Sequence, residues 1–145
     1  MFRPAKVLVV EDNDGDIRLV QEALKQTQST WQVSVVRDGI AAIEHLRHEP
    51  GARNPPDLIL LDLNIPFKDG REVLREIKDD DNLKHIPVLI LTSSCSPDDV
   101  MSAYRLHANC YLTKPARLND LFSLVESIQE FWTRRAHLPL LAGSD

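Results

Sequence analysis

The chain has 145 residues, 43% of them hydrophobic and 27% charged, with a formal net charge of −5. That length fits one domain with a single sizeable core, and the composition excludes disorder as a global state. The negative balance excludes a general attraction for nucleic acid or anionic membrane, and no apolar run approaches the ~20 residues of a membrane span.

The first apolar run, "KVLVV" (6–10), is short and is followed at once by acids, unlike a signal peptide. Residues 15–26 then place Ile17, Val20, Ala23 and Leu24 on one helical face. "WQVSVV" (31–36) reads as a second strand, and residues 39–48 as a helix with Ile40, Ile43 and Leu46, or Leu46 with Ala42, turned inward. A Pro/Gly loop, "HEPGARNPPD" (48–57), leads to the third strand, "LILL" (58–61). Val73, Leu74 and Ile77 mark a helix over 70–78, and the acid run of "DDDNLKHIP" (79–87) reads as a solvated turn. "VLIL" (88–91) is the fourth strand. Ser96 and Pro97 then open a helix over 96–106 as N-cap and first helical residue, with Asp98 and Asp99 in its first turn. "CYLT" (110–113) is the fifth strand. The last helix, 117–132, carries Leu118, Leu121, Phe122, Val125, Ile128 and Trp132 on its core stripe.

The order is β-α five times. Three of the runs are continuously apolar, as in strands covered on both faces. The pattern predicts an α/β, doubly wound, five-stranded parallel sheet with five helices on its two faces, joined by right-handed crossovers. Cys95 and Cys110 form no metal-type C-x-x-C pattern and read as free thiols of a reducing compartment, so a cytoplasmic location is expected.

In an open parallel sheet, ligands sit beyond the carboxyl ends of the strands. The first strand ends in Glu11 and Asp12. The third ends in Asp62, with Asn64 two residues on. The fourth ends in Thr92, ahead of the small residues Ser93 and Ser94, and the fifth is followed by Lys114–Pro115. Taken singly, each is an ordinary strand-end residue: a turn former, an N-cap or a loop. Together they place three carboxylates, a hydroxyl and an ammonium on one edge of the sheet. Clustered carboxylates repel one another unless a cation neutralises them. Oxygen-only ligands select a hard cation, which points to Mg²⁺ or Mn²⁺ held by Glu11, Asp12 and Asp62. A carboxylate beside such an ion and a lysine can attack a phosphoryl group and become an aspartyl phosphate.

The segments "VLVVEDN", "LILLDLNIPFKDG", "VLILTSS" and "CYLTKP" resemble, in order and spacing, the signature segments of the receiver domain of two-component response regulators. The resemblance covers about residues 5 to 132. Within the family, "VVEDNDGDIRLVQEAL" and "DLNIPFKDG" are most similar to single-domain regulators that partner bacterial, cyanobacterial-type phytochrome histidine kinases. It implies the flavodoxin-like strand order 2-1-3-4-5, a receiver domain over 1–132 and a C-terminal tail over 133–145. It further implies Asp62 as phosphoacceptor and Glu11 and Asp12 as the acidic pair that holds the metal. The backbone carbonyl of Asn64 completes that site, Lys114 contacts the phosphoryl group, Thr92 and Tyr111 form a switch pair, and Lys114–Pro115 is a cis peptide.

On this reading phosphorylation draws Thr92 toward the phosphoryl group and lets Tyr111 turn inward, and the fourth helix, fifth strand and fifth helix present the output surface. The alternative for Tyr111 is a half-buried strand aromatic with its hydroxyl at the surface. About a dozen residues follow Trp132, too few for a DNA-binding domain, so the expected output is protein contact, a homodimer or phosphate relay. Leu124 and Phe131, off the core stripe, together with Leu138, Leu140 and Leu141 in the tail, are the apolar excess expected of a dimer interface; the alternative is a tail folded back on its own domain. Expected partners are a histidine kinase, a phytochrome on the narrower resemblance, and a second copy of the chain, with no nucleic acid and no membrane.

Two rivals fit less well. A haloacid-dehalogenase-type phosphatase wants a second aspartate where Asn64 stands. A flavodoxin-like cofactor binder wants a hydroxyl- and Gly-rich phosphate loop where this chain has the acidic "EDNDGD". That segment is not an EF-hand either, because Ile17 falls where the loop glycine must be.

Overall fold

The structure, a computed structural model, describes residues 5–25, 31–48 and 53–139. Strands β1 (Lys6–Val10), β2 (Gln32–Val36), β3 (Leu58–Leu61), β4 (Val88–Thr92) and β5 (Cys110–Thr113) alternate with helices α1 (Asp14–Lys25), α2 (Gly39–Arg47), α3 (Gly70–Asp79), α4 (Pro97–Arg105) and α5 (Leu118–Glu130). All strand pairs are parallel, in the order β2-β1-β3-β4-β5. This is the expected doubly wound α/β fold.

The period of two along the strands sorts the core into two layers. Leu8, Val10, Ile59, Leu61, Val88 and Ile90 pack with Ala42, Ile43 and Leu46 of α2, Val73, Leu74 and Ile77 of α3, and Ala103 of α4. Val7, Val9, Leu58, Leu60, Leu89 and Leu91 take the other face, against α1 and α5. The β3 and β4 side chains are buried throughout because both faces of these inner strands are covered. Each such Leu or Ile contributes about 1.5–3 kcal/mol on burial.

Two glycines let the helices close on the loop after β3. A Cβ on Gly70 would stand 2.5 Å from the Asp62 carbonyl oxygen, and one on Gly39 would stand 2.0 Å from that of Lys68. Instead, Gly70 N–H donates to Leu63 O at 2.9 Å and Gly39 N–H to Pro66 O at 3.3 Å. The loop is thereby held from both flanks, and Phe67, at its tip, adopts φ 70° with its side chain in solvent.

Several expectations need correction. Ile40 is half exposed, because α2 buries Gly39, Ala42, Ile43 and Leu46, a stripe that Ile40 leaves. Leu118 is 63% exposed: it is the first residue of α5, whose buried stripe of Leu121, Val125 and Ile128 begins one turn later. Leu124, expected off the core face, packs against the α1–α5 layer. The last helix stops at Glu130 and widens into a π-helical turn, Phe131–Arg135, in which Trp132 still reaches the core. The acid run stays a solvated turn as expected, with Asp79 and Asp81 exposed, and carries surface pairs: Asp80 accepts from Arg47 Nε at 3.4 Å and Asp81 pairs with Lys84 at 3.0 Å. Pro139 lines a small cavity with Pro55, Pro87 and His85, so the described end of the tail lies against its own domain, beside the segments that lead into β3 and β4. Leu140 and Leu141 lie outside the described residues.

Candidate functional site

The site is assembled by strand ends. Asp62 N–H donates to Val10 O at 3.0 Å and Glu11 N–H to Val36 O at 3.0 Å, which continues the ladders one residue past β3 and β1. The same geometry that pairs central strands therefore fixes the two carboxylates side by side. Asp12 follows Glu11 and stays exposed, so the pocket has an open side. Carboxylate oxygens of Glu11, Asp12 and Asp62 lie within 4.8 Å of one another.

Lys114 closes the cluster from β5. Its N–H donates to Thr92 O at 2.7 Å, and its ammonium Nζ lies 2.8 Å from Asp62 Oδ2 and 2.9 Å from Asp16 Oδ2 and also contacts Glu11 Oε1. Glu11 Oε2 accepts the backbone N–H groups of Asp12 and Asn13, both at 3.1 Å. Asp62 Oδ1 accepts the N–H of Asn64 at 3.1 Å. Asp62 is thus buried but, among the described residues, its carboxylate is tied to only one neighbouring amide, and it retains lone pairs for a ligand.

These contacts leave opposing charges in conflict. Burial pushes the Glu11 carboxyl up from its ordinary 4.5 to about 7; the Lys114 hydrogen bond works against this, and the Asp62 charge adds to it. Burial alone would lower the Lys114 pKa, but its hydrogen bonds to Asp62, Glu11 and Asp16 outweigh burial and raise it, so the ammonium stays charged. A donor set of oxygens only, with one carboxylate open to water and another reluctant to ionise alone, fits a hard divalent cation.

Thr92 is fully buried, and its Oγ1 has no hydrogen-bond partner among the described residues. An unpartnered buried hydroxyl costs roughly 1–3 kcal/mol and is available to a new acceptor. Two residues on, Ser94 O accepts from the Tyr111 hydroxyl at 2.9 Å. The Tyr111 ring is half buried against the α2–α4 layer, so its hydroxyl points to the loop after Thr92 and not to free solvent. Burial raises the Tyr111 pKa, partly offset by the Ser94 bond.

The structure thus brings together Glu11, Asp12, Asp62 and Lys114, with Thr92 next to Lys114 and Tyr111 one loop away. The Asn64 N–H bonds to Asp62. Three contributors escaped sequence reasoning. Asp16 stands one helical turn beyond Asp12, and the only signal for it was that spacing. Arg71 binds both Asp69, at 3.2 Å, and Asp99, and Asp99 in turn accepts from Ser94 Oγ. Nothing in the sequence links positions 71 and 99, because the crossover brings them together.

A family model described as the response regulator receiver domain matches residues 7–126. The chain is 50% identical over 138 residues to the response regulator Rcp1 of Synechocystis sp., covering 94% of each chain. It is 45% identical over 130 residues to the probable methanogenesis regulatory protein FilR2 of Methanothrix harundinacea, covering 89% of this chain and 84% of that one. The crystal structure of the phosphorylated cyanobacterial phytochrome response regulator RcpA superposes with a TM-score of 0.90 at 52% identity, over 95% of this chain and all of RcpA. The Mn²⁺-bound form of Rcp1 superposes with a TM-score of 0.89 at 50% identity, over 94% of this chain and all of Rcp1.

Proposed function

This chain belongs to the response regulator receiver family, and from that premise we propose that Asp62 accepts a phosphoryl group from a kinase histidine, with Glu11, Asp12, Asp62 itself and the Asn64 carbonyl holding Mg²⁺ or Mn²⁺. The observation that carries the proposal is the convergence of Glu11, Asp12 and Asp62 within 4.8 Å, with the Lys114 ammonium 2.8 Å from Asp62. A bound divalent cation would offset charge on the phosphoryl oxygens. The chain's own groups do the rest. An Asp62 carboxylate oxygen attacks phosphorus, the P–N bond to the histidine breaks, and the imidazole leaves with the electron pair. Lys114, a charged ammonium at the pocket wall, turns to the phosphoryl oxygens, and the Thr92 hydroxyl, unpartnered among the described residues, shifts to donate to one of them. Movement of Thr92 pulls the loop through Ser94, whose carbonyl holds the Tyr111 hydroxyl, and Tyr111 passes the change to the surface of α4, β5 and α5.

The chain acts on no separate substrate in this reading; it is a signalling protein whose chemistry is confined to its own aspartate. Residues 1–132 form the receiver domain and 133–145 a tail. Exposed Met101, Tyr104, Leu118 and Phe131 on and beside the output surface support a homodimer. Likeness to RcpA supports a phytochrome-type histidine kinase as donor, although FilR2, a relative of nearly equal identity, carries a name from a different pathway. The free thiols Cys95 and Cys110 suit the cytoplasm, and no helix among the described residues is long and apolar enough to cross a membrane.

Acetyl phosphate or a cognate kinase should label the wild type in the presence of Mg²⁺, and both Asp62→Asn and excess chelator should abolish labelling. Undiminished label on Asp62→Asn would overturn the acceptor assignment, and full labelling in chelator would overturn the metal site.

A further inference from the structure

Among the described residues Lys114 makes three carboxylate contacts, of which two are with the candidate cation ligands. Its partners are Glu11, Asp62 and Asp16. Among the described residues, the acids grouped closely enough to share a cation are Glu11, Asp12 and Asp62, and Asp16 is not among them. A cation entering that cluster must compete with the ammonium for Glu11 Oε1 and Asp62 Oδ2. It does not compete for Asp16 Oδ2, which lies 2.9 Å from Nζ on the first turn of α1. Asp16 is itself fixed: its N–H donates to Asn13 Oδ1 at 2.9 Å, so the turn is capped where the carboxylate must stand.

We propose that Asp16 is a positioning residue that retains Lys114 at the pocket wall while the ammonium releases Glu11 and Asp62 to a divalent cation. The inference deepens the metal-dependent acceptor reading and rests on it. Without the Asp16 charge, a displaced Lys114 has, among the described residues, no carboxylate partner outside the cation's own ligands. Taking the ammonium off its partners in a buried site is costly, so Lys114 keeps the ligands and the cation binds less well. Asp16 acts through Lys114 and not on the ion.

The experiment is a double-mutant cycle read by Mn²⁺ binding, followed by electron paramagnetic resonance at fixed pH. Asp16→Asn should weaken Mn²⁺ binding about tenfold, as loss of an outer partner typically does. Asp16→Glu should restore most of the affinity. In a Lys114→Gln background, which removes the competing ammonium, Asp16→Asn should change affinity by less than about twofold. An Asp16→Asn effect that persists undiminished in Lys114→Gln would show that Asp16 acts on the cation itself, and would overturn this inference while leaving the metal site standing. Failure of the wild type to bind Mn²⁺ would overturn the metal-site reading and this inference with it.

Discussion

Glu11 is buried beside Asp62, and its carboxyl is pushed up to about 7 by that burial, with Asp62 adding to the push and Lys114 opposing it. The sign of the consequence follows from linkage. The ordinary value is 4.5, so the folded state holds this proton more tightly than the unfolded chain does. The stabilisation from Glu11 is full below pH 4.5 and is lost as pH rises through about 7. A cation that binds the ionised carboxylate removes that loss and competes with the proton. The gap in melting temperature between Mg²⁺-loaded and chelated protein is therefore expected to widen from pH 5 to pH 8. A gap that stays flat or narrows would show that Glu11 ionisation is not coupled to cation binding.

Between residues and the whole lies a chain of contacts joining three elements. Arg71 on the first turn of α3 grips Asp69 behind it and Asp99 on α4, and Asp99 holds Ser94 in the loop after β4. Bonds from Ser94 and Arg71 keep the Asp99 carboxyl below its usual range. Because Asp69 ends the loop that begins at Asp62, the two loops flanking Asp62 are tied to the N-termini of α3 and α4. A partly solvated ion pair contributes little to global stability, so its effect should be local. Arg71→Ala is expected to leave the melting temperature nearly unchanged and to quicken amide hydrogen exchange over residues 94–99. Unaltered exchange there would mean that the pair does not restrain the loop.

At the scale of the molecule, the sheet order puts β1 and β3 side by side at the centre, and their carboxyl ends carry the acids. Apolar side chains that the sheet has no room to cover collect elsewhere, at Met101 and Tyr104 on α4, Leu118 at the start of α5 and Phe131 after its end. Trp132 by contrast packs against the core, so cutting the chain ahead of it would remove stability together with any interface. Paired charge substitutions are the cleaner probe. Leu118→Glu with Phe131→Glu is expected to convert a wild-type dimer to a monomer in sedimentation velocity while the fold is retained. A monomeric wild type at micromolar concentration, or a dimer that survives both substitutions, would remove the dimer proposal.

Continuous apolar runs, helical spacing and the acids, hydroxyl and lysine just past the strand ends determined the fold class, the layering and the convergence of the candidate residues on one sheet edge, because a parallel sheet aligns its strand ends whatever the crossovers contain. Errors gathered where local pattern is satisfied by more than one face, as at Ile40 and Leu118, whose burial depends on how far each helix overlaps the sheet. Only the tertiary structure could decide that Asp16 shares Lys114 with Glu11 and Asp62, or that Arg71 meets Asp99 across 28 residues of chain. Contacts between side chains on separate elements have no period and no fixed spacing; they exist only once packing has set how the helices lie against one sheet.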